Sequence, residues 1–133
     1  MITCDTSVLV AAFARWHASH AVATKLVART NALVDHVAVE TYSVLTRMPP
    51  PHRVPGQLVR IFLQDHFPEQ APRLPAPGSV DVLEAADRAG VSGGAVYDLL
   101  VGLSAARSGA LLLSLDRRAA TVYDAAGVSY ELS

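Results

Sequence analysis

Six consecutive residues, Ala110-Leu111-Leu112-Leu113-Ser114-Leu115, carry no charge and end at Asp116. A continuous apolar run of this length, entered from Gly109, reads as a strand buried on both faces. Such strands belong to parallel sheets, whose faces are covered by helices. The chain's first run, Ile2-Thr3-Cys4, is also apolar and also ends at an acid, Asp5; residues 1–5 read as a strand. Most of the remaining chain reads as helices between short strands. Ser7 opens a helical turn from Val8 to Phe13, and His17 to Thr30 is a helix with Val22 and Leu26 one turn apart. Asn31 to Val34 reads as a short strand. Asp35 is placed to cap a helix running to Met48. Pro49-Pro50-Pro51 ends it, since proline lacks an N–H and restricts the residue before it. After a Pro55-Gly56 turn, Gln57 to Phe67 reads as a helix, and Arg73 to Pro77 as a loop or short edge strand. Ser79 is placed to cap a helix through Ala89, with Gly90 as its stop. Gly93 to Ser108 and Arg117 to Ala126 read as helices ended by Gly109 and Gly127. Ser129 to Leu132 is a last strand. The alternation predicts an α/β fold, with a mostly parallel central sheet between helices.

The acids are the second constraint. Asp5 and Asp116 fall at the carboxyl ends of strands, where open α/β sheets bind ligands. Taken alone, each could simply cap the helix that follows. Glu40 sits three residues after Val37 and four before Val44. It therefore borders the apolar stripe Val37, Thr41, Val44, Leu45 and Met48 instead of opposing it. Asp98 is the only charged residue between Gly90 and Ala106. Val96, Leu99, Leu100, Val101 and Leu103 surround it on a helix apolar nearly all round, which is the pattern of a buried helix. A charge removed from water costs several kcal/mol (roughly) unless it is paired or bound to a metal. Two like charges about 4 Å apart repel by about 4 kcal/mol at an effective dielectric near 20. Four carboxylates without evident basic partners therefore point to one divalent-metal site. Oxygen donors suit Mg²⁺, with Mn²⁺ as a substitute.

Composition narrows the alternatives. The chain has 133 residues, 51% of them hydrophobic, which fits one domain over 1–133 with a sizeable core. Eleven basic and twelve acidic residues give a net charge of −1, so any nucleic-acid contact must be a local patch. The lone cysteine, Cys4, reads as a small core residue. The five histidines at 17, 20, 36, 52 and 66 are scattered without a zinc spacing, and read as surface residues. No signal-peptide pattern opens the chain, and no apolar run reaches the roughly 18 residues of a membrane span. The expectation is a cytoplasmic protein without a membrane partner.

Together the motifs resemble those of PIN-domain nucleases. Asp5-Thr6-Ser7-Val8-Leu9-Val10 resembles the family's opening Asp-x-Ser/Thr element. Glu40 follows on the second long helix, Tyr97-Asp98-Leu99-Leu100 carries a third acid, and Leu113-Ser114-Leu115-Asp116-Arg117-Arg118 resembles its strand-end Ser-x-Asp element. The length matches the small VapC-type toxins of toxin–antitoxin pairs. The resemblance implies a three-layer PIN-like sandwich and a metal-dependent endoribonuclease. It implies Asp5, Glu40, Asp98 and Asp116 as catalytic acids, with Asp5, Asp98 and Asp116 as metal ligands and Ser7 and Ser114 in support. It also implies a homodimer silenced by a small cognate antitoxin. Arg117 and Arg118 are placed to hold RNA phosphates. An inhibitor of such a site would offer an Arg or Lys to the acids, and apolar anchors to a groove lined by Val22, Leu26, Val44 and Met48.

Two other readings remain open at this point. One is a catalytically inactive PIN-like module acting only through a partner. The other is a phosphatase using Asp5 as nucleophile. It would want an acid two residues on, where Ser7 stands, and a placed lysine, of which Lys25 is the only one.

Overall fold

The computed structural model describes all 133 residues. β1 (Ile2–Cys4) and β4 (Leu111–Ser114) pair in parallel, with Cys4 opposite Leu113. β5 (Tyr130–Leu132) pairs in parallel on the other side of β4. A second parallel pair, β2 (Leu33–Val34) with β3 (Arg73–Leu74), lies beside β1. The backbone N–H groups of Asn31 and Ala32 both donate to the Ile2 carbonyl and tie that pair to the β1 edge. Every pairing is thus parallel, and Arg73 to Leu74 is an edge strand.

Seven α-helices complete the three-layer α/β architecture. α1 (Thr6–Phe13) packs against both α2 (His20–Arg29) and α3 (Asp35–Thr46), and α3 packs against α4 (Gly56–His66). α5 (Ser79–Ala89), α6 (Ala95–Arg107) and α7 (Ala120–Ala126) form a second group, α7 being entered through a 3₁₀ turn at Arg117–Ala119. Leu112, Leu113, Cys4, Val34, Val37 and Phe67 are fully or almost fully buried in the main core. Each such side chain contributes about 1.5–3 kcal/mol by leaving water. That burial is what the uninterrupted apolar runs of β1 and β4 provide.

Both caps expected from side chains lie one residue out of place. β2 runs directly into α3, so Val34 holds the N-cap position and Asp35 is the first helical residue. Its carboxylate favours the positive helix end but makes no cap hydrogen bond. Gly78, not Ser79, is the N-cap of α5. Gly90 and Gly127 do end α5 and α7, in the left-handed conformation at φ 69° and 71°, which glycine adopts without steric cost. The apolar groove expected from Val22, Leu26, Val44 and Met48 does not exist as drawn. Leu26 belongs to the main core, and Val44 and Met48 pack on the Val10–Leu45–Val59 cluster. Only Val22 stays exposed.

Candidate active site

Parallel pairing of β1 with β4 delivers Asp5 and Asp116 to the same end of the sheet. Asp5 is 5% exposed. It occupies the N-cap position of α1, but its carboxylate makes no cap bond. Instead the Ser7 hydroxyl donates to Oδ1 and the Tyr123 phenol donates to Oδ2 at 2.7 Å. Ser7 Oγ in turn accepts from the Leu115 N–H at 3.0 Å, which fastens α1 to the end of β4. Burial pushes the Asp5 carboxyl above its ordinary value, against the hydroxyls of Ser114, Ser7 and Tyr123. Burial, then the charge of Asp5, pushes the Tyr123 phenol far above its usual range. The phenol therefore stays protonated and donates at any working pH.

Asp116 does behave as a cap. Its Oδ1 accepts from the Arg118 N–H at 3.0 Å, and its own N–H donates to Ser114 Oγ at 3.0 Å. Arg118 Nε lies 3.5 Å from the same carboxylate oxygen, but its side chain is 94% exposed, so solvent screens the pair. Arg117 is likewise exposed.

Glu40 points from the middle of α3. Thr6, the first residue of α1, donates its hydroxyl to Oε1. His36, one helical turn earlier, places Nε2 3.8 Å from Oε2. Asp98 stands in the first turn of α6. Burial pushes its carboxyl up to about 6, helped by the charges of Asp116, Glu40 and Asp5 and opposed by Arg118. All three other acids act on Asp98. The fold thus sets acids from the end of β1, from α3 and from the end of β4 within electrostatic reach of Asp98 on α6. No three His, Cys, Asp or Glu side chains converge closely enough to form a ready-made ligand cage. Glu40 opens onto a groove of about 400 Å³ with Tyr97 and Arg47. Asp116 opens onto another of about 370 Å³, with Thr6, Ser7, His17 and Arg118.

Three participants escaped the sequence reading. Thr6 stood unused inside the Asp-Thr-Ser motif. His36 reads as a surface histidine in sequence, although its spacing of four from Glu40 places both on one helix face. Tyr123 carries no local signal, since only tertiary packing brings it to Asp5. The surface reading holds for His52 and His66. His17, His20 and His36 are half-buried, and His20 Nδ1 lies 2.9 Å from the Ala11 carbonyl oxygen. Lys25 is exposed on α2, which gives a phosphatase reading nothing to build on.

The PIN domain family model matches residues 2–125, and the chain belongs to the PIN-domain family. Its curated relatives sharpen that placement. Ribonuclease VapC40 of Mycobacterium tuberculosis, strain ATCC 25618 / H37Rv, is 47% identical over 135 residues, covering 99% of this chain and 98% of the relative. Ribonuclease VapC27 of the same strain is 38% identical over 126 residues, covering 93% and 90%. The resemblance first seen in four short motifs therefore extends along nearly the whole chain.

Proposed function

We propose that this protein is a divalent-metal-dependent endoribonuclease, the toxin of a toxin–antitoxin pair, which hydrolyses RNA phosphodiesters at Asp5, Glu40, Asp98 and Asp116. The observation that carries this reading is geometric: parallel pairing of β1 with β4 brings Asp5 and Asp116 to one end of the sheet, with Asp98 and Glu40 near enough for their charges to act there. The named ribonucleases related to the chain over nearly its full length support it.

The residues fit a hard divalent cation in chemistry. Their donors are all oxygen, and both the burial that lifts Asp98 and the repulsion from Asp116, Glu40 and Asp5 that adds to it are what a cation would offset. Asp5, Asp98 and Asp116 would hold it, with part of its water shell retained, as is usual for Mg²⁺. Mg²⁺, or Mn²⁺ in its place, supplies an acidified water and charge neutralisation at the scissile phosphate. The chain's own residues supply position. Ser7 and Tyr123 fix both oxygens of Asp5, and the Arg118 N–H fixes Oδ1 of Asp116. Thr6 holds one oxygen of Glu40, and the other, with His36 Nε2 3.8 Å away, would orient the attacking water as a base. Arg117 and Arg118 lie beside Asp116 for flanking phosphates. No helix is long and apolar enough to cross a membrane. On this reading the protein acts in the cytoplasm as a homodimer, until a small antitoxin covers the site.

RNA ends mapped after induction test the reading. The wild type should produce new internal ends that Asp98→Asn does not. The purified protein should cleave with Mg²⁺ or Mn²⁺ and stop on chelation. Full cleavage by rigorously metal-free protein would overturn the mechanism.

A further inference from the structure

Besides Glu40, the groove of about 400 Å³ is lined by His36, Val39, Ser43, Arg47 and Tyr97. The α3 residues among them recur every three or four positions, so they form one continuous wall. Tyr97, the residue before Asp98, forms the facing wall. Its ring stacks on the His36 imidazole, with centroids 5.4 Å apart and planes within 2°. Yet Tyr97 is 55% exposed. The stack fixes the ring plane from one side without burying it, so Tyr97 is not serving the core. His36 Nε2 is buried without a hydrogen-bond partner, a state that a native site tends to resolve with a ligand or water. Arg47 Nη1 reaches back to Ser43 Oγ at 3.4 Å, which keeps its guanidinium along the same wall. Arg47 stands seven residues after Glu40, about 10 Å along the helix axis.

We propose that this groove is a subsite for single-stranded RNA, in which the Tyr97 ring, backed by His36, stacks a base next to the scissile phosphate while Arg47 holds a phosphate further along the strand. The inference rests on the ribonuclease reading and adds where the strand lies. An exposed aromatic plane beside a cation is the arrangement by which proteins hold unpaired bases, whatever their sequence. Paired RNA keeps its bases stacked and closed, so the platform selects loops and single strands.

The test uses short single-stranded oligoribonucleotides with 2-aminopurine at successive positions, bound to the full chain carrying Asp98→Asn in Mg²⁺ buffer. One position should be quenched by stacking. Adding Tyr97→Ala should abolish that quench and weaken binding by about 5- to 100-fold, whereas Tyr97→Phe should retain both. An oligoribonucleotide lacking the base at that position should bind alike with or without Tyr97→Ala. In the active protein Tyr97→Ala should raise KM more than it lowers kcat. Equal quenching and affinity with and without Tyr97 would overturn the subsite. So would a Tyr97→Ala loss confined to binding of a protein inhibitor, which would make the groove a protein-docking surface. Wild-type cleavage of the same RNA is scored separately. If the wild type quenches at one position yet never cleaves, the ribonuclease reading falls and the platform stands. If it cleaves and Tyr97→Ala changes nothing, only the platform falls.

Discussion

The phenol of Tyr123 donates a 2.7 Å hydrogen bond to Oδ2 of Asp5, joining residues 118 positions apart in the chain. The bond depends on how closely α7 approaches α6. A Cβ on Gly102 would lie 2.8 Å from the Ala126 Cβ and 3.3 Å from Tyr123 Cδ1. Glycine at 102 therefore lets α7 close on α6 and carry Tyr123 to the buried carboxylate. A helix-packing contact on one element sets the orientation of an acid on another.

Tyr123→Phe keeps the ring and removes only the donor. Asp5 would keep its Ser7 bond but lose a partner while buried. We expect a loss of about 1–3 kcal/mol, since the bond is to a charged group. Cleavage should fall about 10- to 100-fold, as for other groups that orient ligand side chains. Thermal unfolding and a cleavage assay with saturating Mg²⁺ check both. Unchanged cleavage would mean that Asp5 needs no orientation from Tyr123.

The metal-free protein should become less stable as pH rises through about 6. The folded carboxyl of Asp98 titrates near 6 against an ordinary value of 3.8. Between those values the folded state binds more protons than the unfolded one, so stability falls with rising pH. The contribution is fully present below about 3.8 and lost above about 6. Asp5, raised in the same direction by burial, adds to the trend with the same sign. Asp98 is only half-buried, so screening leaves the effect smaller than the shift alone suggests. Melting temperatures of chelated protein across this range, with the Asp98→Asn protein as reference, isolate it. A difference between the two proteins that stays flat with pH would refute it.

Asp98→Asn should stop cleavage, by at least about 100-fold, without unfolding the protein. In metal-free buffer at neutral pH its melting temperature should equal or exceed that of the wild type, because three acids then lose a repulsive neighbour. A loss of several kcal/mol (roughly) in that buffer would show instead that Asp98 has a structural partner.

The positions of the candidate site's acids could be read from the chain because strands buried on both faces must be unbroken and apolar. Asp5 and Asp116 stand out as the residues where β1 and β4 stop being so, and parallel pairing then brings them together. Glu40 and Asp98 stand out for a related reason, as acids on or beside apolar helix faces. The supporting residues were less visible. Tyr123 meets Asp5 only through the α6–α7 packing that Gly102 permits. His36 could be placed on the face of Glu40 by spacing, but its stack on Tyr97 needs α6 alongside α3. The shifts at Asp35 and Ser79 follow from backbone geometry at the entry to each helix, which side-chain preference does not fix. Leu26 showed the same one-turn spacing in sequence as a groove residue would. Only tertiary packing decides that it belongs to the core.

A crowded acidic site attracts a guanidinium, which is planar, always charged and bidentate toward carboxylates. Arg118, already 3.5 Å from Asp116 Oδ1 but 94% exposed, shows that a basic group can reach this carboxylate from solvent. An antitoxin segment should therefore present an Arg or Lys to Asp5, Glu40, Asp98 and Asp116. With Leu26 in the core and Met48 packed on the Val10–Leu45–Val59 cluster, its apolar anchors need seats besides Val44, which lines the Asp116 groove. Phe13 and Phe62 meet edge to face at 5.2 Å and line a separate groove of about 410 Å³ with His20 and Thr24. Val22, Leu58 and Ile61 are exposed on α2 and α4. A basic group on the acids competes with metal for the same oxygens. Adding Mn²⁺ should then weaken the complex in a titration of toxin with antitoxin. Replacing the basic residue should restore some cleavage while the apolar contacts keep the partners bound. An antitoxin whose affinity ignores Mn²⁺, and whose basic residues can all be replaced without releasing cleavage, inhibits by some route other than covering these acids.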